Sequence, residues 1–267
     1  MQAPSKKTIK ALVHTAVESY AKGFQARHEG EKDNPEGIIN MKIHNVFIEA
    51  LGKEIQYYTA LVRSLDSSLG NMLESLAINI ADLTFDVKRN VEGPLAVQQT
   101  RIIAELLEKY KRREQQPSVK DYQVLRSVSP DKAPTKRHDS DYYLIDRDTN
   151  AHYLIELKIG GDLDNKKARS EKEAILEQFA ILSNVLPPET EIKIFFATAY
   201  NRYGENKPWT QQRVRQFFAD EELLIGKDFW NFVCRSKDGY NIVLEAYRES
   251  APLIKKALES IKRTYLG

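Results

Sequence analysis

Glu156 follows Asp141 by fifteen positions, and the residues between them leave the chain few ways to run. In the stretch HDSDYYLIDRDTNAHYLIELK (138–158), two runs rich in aromatic and branched residues, 142–145 and 153–159, flank the turn formers Asp146, Arg147, Asp148, Thr149 and Asn150. That pattern predicts two antiparallel strands joined as a hairpin. A turn symmetric about residues 148 and 149 pairs residues whose numbers sum to 297, which sets Asp141 opposite Glu156. Directly opposed residues share a face of the sheet, with Cβ atoms about 5 Å apart. Lys158 follows Glu156 by two and joins that face, because strand side chains alternate with period two.

Like charges opposite one another destabilise a sheet, and a cation between them removes the cost. Two hard carboxylates with room for water suit Mg²⁺, with Mn²⁺ expected to substitute. Magnesium takes only one or two protein carboxylates and leaves its other positions to water and phosphate oxygens. Such an arrangement is hydrolytic: the ion polarises a phosphate and activates water, while Lys158 orients that water or balances the phosphate charge. The competing reading is an ordinary solvated strand face, since any Asp with a later Glu-x-Lys meets the bare description. The hairpin register favours a site.

Asp141, followed by Glu156-Leu157-Lys158 on the next strand, resembles the core motif of the PD-(D/E)XK nucleases, with Ser140 where that superfamily often has proline. The continuation GGDLDNKKARSEK (160–172) resembles type II restriction endonucleases, the TdeIII-like group in particular. The likeness covers roughly residues 60–235. It implies an α/β fold, a mixed β-sheet core flanked by helices with a helical N-terminal part. It also implies Asp141 and Glu156 as metal ligands and Lys158 as a catalytic residue. Many restriction enzymes bring a further glutamate to the metal from a helix; Glu74, among Leu69, Leu73, Leu76 and Ala77, is the candidate, against the plainer reading of a solvated acid on an amphipathic helix.

Composition permits this without demanding it. The chain of 267 residues has a formal net charge of +2, so a nucleic-acid partner must be served by local basic patches and not by a global field. A single cysteine, Cys234, excludes an internal disulfide and a cysteine zinc site, and agrees with a reducing cytoplasm. The five histidines, at 14, 28, 44, 138 and 152, show no ligand spacing. No long apolar run or signal-peptide pattern is present, so a protein without membrane attachment is expected. Apolar spacing predicts helices over 6–24, 38–65, 67–88 and 95–113, making 1–115 a helical region packed on an α/β core over 116–267, the whole one continuous domain. Beyond the hairpin, 191–200 reads as a buried central strand, 210–219 as a helix, 240–246 as a strand and 252–265 as a last helix.

Lys166, Lys167, Arg169 and Lys172 crowd the opening turns of the helix after the second strand, where cations oppose the helix dipole. Asp162 or Asp164 can cap that helix, and Ala168, Ile175, Leu176 and Phe179 form its buried face. A charge run is usually a solvated face; here the helix N-terminus adds its own attraction for a phosphodiester backbone. For base reading the candidates are Asn201, Arg202, Lys207, Arg213 and Arg215, in a polar and basic loop after the central strand, because arginine bonds guanine in pairs and asparagine bonds adenine. The plain alternative is a surface loop. Residues 127–137 are a second candidate segment for contact with the cut strand.

The function expected is that of a type II restriction endonuclease, hydrolysing phosphodiesters in specific double-stranded DNA with Mg²⁺ in the cytoplasm of a bacterium or archaeon. Cutting both strands of a palindrome calls for two sites related by a two-fold axis, hence a homodimer. The TdeIII-like resemblance implies a short GC-rich palindrome such as GGNCC. Two alternatives stay open on the sequence: a structure-specific repair or recombination nuclease of the same fold, and a catalytically inert DNA-binding or interaction protein.

Overall fold

The computed structural model describes residues 3–267 apart from residue 162, and for Asp141 the backbone only. Contacts divide the chain into two compact units, one comprising Ile80–Tyr240 and the other Ser5–Asn79 with Asn241–Gly267. In chain order the helices are α1 (Lys6–Gly30), α2 (Val46–Glu49), α3 (Lys53–Ala81), α4 (Val97–Arg112), α5 (Asn165–Val185), α6 (Gln212–Arg215), α7 (Lys227–Val233) and α8 (Gly239–Leu266). The strands are β1 (Phe85–Pro94), β2 (Thr135–Asp146), β3 (His152–Leu157), β4 (Ile192–Thr198) and β5 (Leu223–Ile225).

The unit Ile80–Tyr240 is built on one mixed sheet in the order β1-β2-β3-β4-β5. The first three strands are antiparallel, and β3, β4 and β5 run parallel. Parallel neighbours need a crossover, and α5 supplies it between β3 and β4. Tyr143, Leu154, Ile194 and Phe196 form one core with Ala168, Ile175, Leu176 and Phe179 of α5. On the other face Tyr142 packs edge-on to Phe229 of α7, and Tyr153 on Phe232, with ring centroids 6.1 and 5.1 Å apart. Both faces are thus covered, which suits the apolar run of β4.

The hairpin pairs Tyr142 with Ile155, Tyr143 with Leu154, Leu144 with Tyr153 and Ile145 with His152, each pair summing to 297. Turn chemistry sets this register. The Asp146 carboxylate accepts the N–H groups of Asp148 at 2.7 Å and Thr149 at 3.1 Å, and Asn150 takes φ 56°, a left-handed conformation that asparagine tolerates. Against β1 the pairing is irregular: Lys88 faces Tyr143 but Asn90 faces Asp139, so β2 carries the longer segment there, residues 140–142 included. Such bulges re-aim side chains and recur beside active sites.

Four expectations fail, the first being two separate helices over 38–65 and 67–88, where the structure has the short α2 and then one continuous α3. Residues 85–94 are the edge strand β1, not the end of a helix and a break; Phe85, Val87 and Val91 sit at the even spacings of a strand, and a helical reading of 67–88 absorbed the first two. Residues 240–246 belong to α8, not to a strand, because the buried positions Val243, Ala246, Ser250, Ile254, Ala257 and Ile261 recur at helical spacing straight through Pro252. The helix expected over 210–219 is only the single turn α6.

The second unit is helical. Its core joins Phe24 of α1, Ile39, Tyr57, Ala60 and Leu61 of α3, and Ile261 and Tyr265 of α8. Buried His28 meets the Ser64 hydroxyl at 3.0 Å, and the Tyr265 hydroxyl donates to His28 O at 2.9 Å.

Candidate active site

Glu156 is the fifth residue of β3, on the same face as Leu154 and hence on the side covered by α5. Lys158, just past the strand, keeps extended pairing: its N–H donates to Ala197 O at 3.0 Å. It therefore returns to the face of Glu156, and its Nζ contacts the Glu156 carboxylate. The observed pairing of β2 with β3 runs as far as Tyr142 and Ile155, the neighbours of Asp141 and Glu156, and the Asp141 side chain lies outside the described residues.

The chain then turns sharply. Gly161 adopts φ +65°, and a Cβ there would lie 2.8 Å from Thr198 and 3.2 Å from Trp209, so a glycine is required on both counts. After this turn Asp164 caps α5, its carboxylate accepting the Lys167 N–H at 2.8 Å. Asp162, the other capping candidate, lies outside the described residues.

The first turns of α5 bring in a residue the sequence reading missed. Glu171 Oε1 lies 3.3 Å from Lys158 Nζ, so the ammonium sits between two carboxylates, one from the strand and one from the helix. The signal was available: Glu171 stands three residues after Ala168 and four before Ile175, both fully or nearly buried, so it belongs to the stripe facing the sheet. A carboxylate on that stripe requires a partner.

Lys172 is corrected. Its side chain is 1% exposed and its ammonium contacts both oxygens of the equally buried Glu222 at 2.7 Å, over the rings of Phe218 and Tyr122. Burial pushes the pKa of Lys172 down, and Glu222 opposes that shift. A lysine held this way fastens α5 to the segment before β5 and has no reach to a phosphate. Lys166 and Lys167 are exposed as expected. Arg169 is half-buried, with Nη2 3.6 Å from Glu108 of α4.

Among the candidate base readers, Asn201 is also corrected. It is buried, its amide donates to Lys207 O at 2.7 Å, and its side-chain oxygen accepts the Tyr203 N–H at 3.0 Å, so it is held inside the loop that it shapes. Arg215 is likewise engaged, with Trp209 O at 3.1 Å and Asp220 at 2.6 Å. Arg202, Lys207 and Arg213 are exposed. Glu74 is a half-buried residue of α3 and falls in the helical unit.

A strand pair carrying an acid and a Glu-x-Lys, with a capped basic helix following, keeps the order of the nuclease motif that the sequence resembles. The family model for the type II restriction endonuclease HinfI matches residues 5–251. The chain belongs to that family. It is a type II site-specific deoxyribonuclease acting on double-stranded DNA, with the α/β architecture of restriction endonucleases. The match lends no support to the finer TdeIII-like likeness or to the GGNCC site it implies. No curated protein matches the chain. Among the described residues no helix is long and apolar enough to cross a membrane.

Proposed function

We propose that this restriction endonuclease cleaves its DNA with Mg²⁺ held by Asp141 and Glu156, acts as a homodimer, and works in the cytoplasm of a bacterium or archaeon. The observation that supports the reading is the position of Lys158 Nζ between the carboxylates of Glu156 and Glu171. Acids have been gathered on one face at the end of β3, and a cation already occupies the space between them. The donor set is made of hard oxygens, which suits Mg²⁺ or Mn²⁺. Among the described residues no three acids or histidines come together. One or two carboxylates suffice for magnesium, with water and phosphate oxygens completing the shell.

Asp141 and Glu156 would hold the ion, with Glu171 adjoining; when bound it polarises the scissile phosphate and lowers the pKa of the attacking water. Lys158 offers N–H donors to that water or to a non-bridging phosphate oxygen and balances charge as it develops. Lys166, Lys167 and the N-terminal N–H groups of α5 meet the phosphate backbone, and Arg169 adds its charge beside them. Arg202, Lys207 and Arg213 read base edges. Glu74 as an assisting acid rests on the family resemblance alone.

The test is digestion of a sequenced phage DNA with Mg²⁺ and mapping of the ends, for the wild type, Asp141→Ala and Glu156→Ala. Discrete fragments from the wild type are expected, with a loss of at least about a hundredfold in either variant, the low end of what a positioned catalytic group contributes. Near wild-type cutting by a folded variant would remove these acids from the site.

A further inference from the structure

The helical unit holds an open cavity of about 510 Å³, and three cations, Arg27, Lys42 and Arg63, line it. Among the described residues no acid lines it, in a chain that has 38 acids to 40 cations. Like charges gathered without an opposite charge repel, and an anion bound among them removes that cost. Arginine and lysine are the usual side-chain partners of phosphate.

The packing of α3 fixes which groups are left for a ligand. Residues four apart on a helix stand in line, so Ala60, Ser64 and Ser68 form one row and Arg63, Ser67 and Asn71 the next. The first row is engaged in the fold: Ser64 meets buried His28 at 3.0 Å, and the Ser68 hydroxyl donates to Ser64 O at 2.7 Å. The His28 contact holds the last turn of α1 against α3 and so brings Arg27 to the cavity, where its Nε donates to Glu31 at 3.2 Å and much of its charge is offset. The second row is not engaged. Among the described residues Lys42 and Arg63 make no ion pair, and the side chains of Ser67 and Asn71 make no hydrogen bond. From Arg63 to Asn71 the row runs about 12 Å, at 1.5 Å per residue. Ile38 and Met41 add a carbon floor, against which the sugars of a nucleic-acid strand can lie.

We infer that this cavity is a second phosphate site for DNA, in which Lys42 and Arg63 each neutralise one backbone phosphate and Ser67 and Asn71 donate to its oxygens. The length of the row and the carbon floor favour a phosphodiester strand over a free phosphate ion, and DNA is the substrate of the family. Such contacts position a protein without specifying bases. The helical unit thereby has a task of its own, holding the duplex that the nuclease unit cuts. This assignment depends on DNA being the substrate and is independent of the metal site proposed above, whose failure would leave it standing.

The full-length protein is titrated by fluorescence anisotropy with a short random-sequence duplex in EDTA, over a series of salt concentrations, so that neither the metal nor the recognition site enters. Three double variants are compared with the wild type. Lys42→Ala with Arg63→Ala removes the two cations; Lys255→Ala with Lys256→Ala makes the same change of charge at exposed positions of α8 away from the cavity; Ser67→Leu with Asn71→Leu fills the cavity at constant charge. The slope of log K against log salt should fall by about 1.8 in the cation variant, 0.9 for each phosphate, and hold its wild-type value in the α8 variant. The filled variant should bind about tenfold more weakly, as loss of a hydrogen bond to a charged group implies. A wild-type slope in the cation variant, or an equal fall in the α8 variant, overturns the site. Should the filled variant lose its far-UV circular dichroism, the two charge variants decide by themselves. Inorganic phosphate tests the other source of the same chemistry: if it raises the thermal midpoint of the wild type and not of the cation variant, while the DNA slope is the same in both, the cavity belongs to a small phosphate compound and the DNA assignment is overturned.

Discussion

Lys158 Nζ lies 3.3 Å from Glu171 Oε1, joining the end of β3 to the second turn of α5 across the face that carries Glu156. Two acids share one lysine, and the three roles are separable. Lys158→Ala should lose the chemical step by about 10²–10⁴-fold yet bind cognate DNA in Ca²⁺ as the wild type does. Glu171→Gln should raise the Mg²⁺ concentration needed for half-maximal cutting and slow it about 10–100-fold, as removal of a group that orients a ligand does. An unchanged Mg²⁺ requirement in Glu171→Gln would reduce that residue to a surface ion pair.

Neighbouring lysines on α5 should behave in opposite ways. Replacing Lys166 and Lys167 by alanine should weaken binding to all sequences alike and lower the slope of log K against log salt by about 1.8, or 0.9 for each phosphate that is no longer neutralised. Lys172→Met should leave that slope unchanged and destabilise the fold by about 3–5 kcal/mol, since Glu222 is left buried without its cation. Denaturant midpoints and salt titrations on the same variants distinguish the two. The double variant Lys172→Met with Glu222→Leu should recover much of the stability.

Base reading is expected from exposed arginines only. Arg202→Ala or Arg213→Ala should cost about 1–3 kcal/mol against the cognate base with little change in non-specific affinity. Competition between cognate and singly mismatched duplexes in Ca²⁺ gives the number. Full discrimination in both variants would move the reading surface to residues 127–137, where Lys136 is already engaged with Glu177 at 2.6 Å.

The hairpin carries a pH dependence. Burial disfavours the Asp146 carboxylate, but the Arg235 guanidinium and the N–H groups of Asp148 and Thr149 outweigh it and hold the pKa at about 2. A depressed pKa means stability present above the unfolded value near 3.9 and lost as pH falls through the folded one, roughly 2 kcal/mol in all. Urea midpoints of the wild type should therefore fall relative to Asp146→Asn between pH 4 and pH 2. Parallel curves would show that the Asp146 turn contributes no such linkage.

How far the sequence could be read follows from how local each signal was. The hairpin register lay in the turn residues 146–150 and in period-two patterning, and four strand pairs follow it. The cap and buried face of α5 were equally local. By contrast, β1 is an edge strand whose pairing partner lies some fifty residues away, so its alternation competed with a strong helical pattern ending at Ala81. Lys172 and Asn201 were misjudged for a related reason: each is polar in sequence, and only the long-range approach of Glu222, or the closure of a loop on itself, shows that its polar atoms are already spent.

The division of the chain has a bearing on synthesis. The nuclease unit is essentially the one stretch Ile80–Tyr240, whereas the helical unit joins Ser5–Asn79 to Asn241–Gly267, its halves separated by that stretch. Domains fold as the chain emerges, N-terminal end first, and distant segments meet only at the entropic cost of closing the loop between them. Ile261 and Tyr265, which complete the core behind α3, are made after the whole of the nuclease unit. A nascent chain can therefore assemble its sheet before the helical unit closes, and the core behind α3 is completed only by residues that follow the whole nuclease unit.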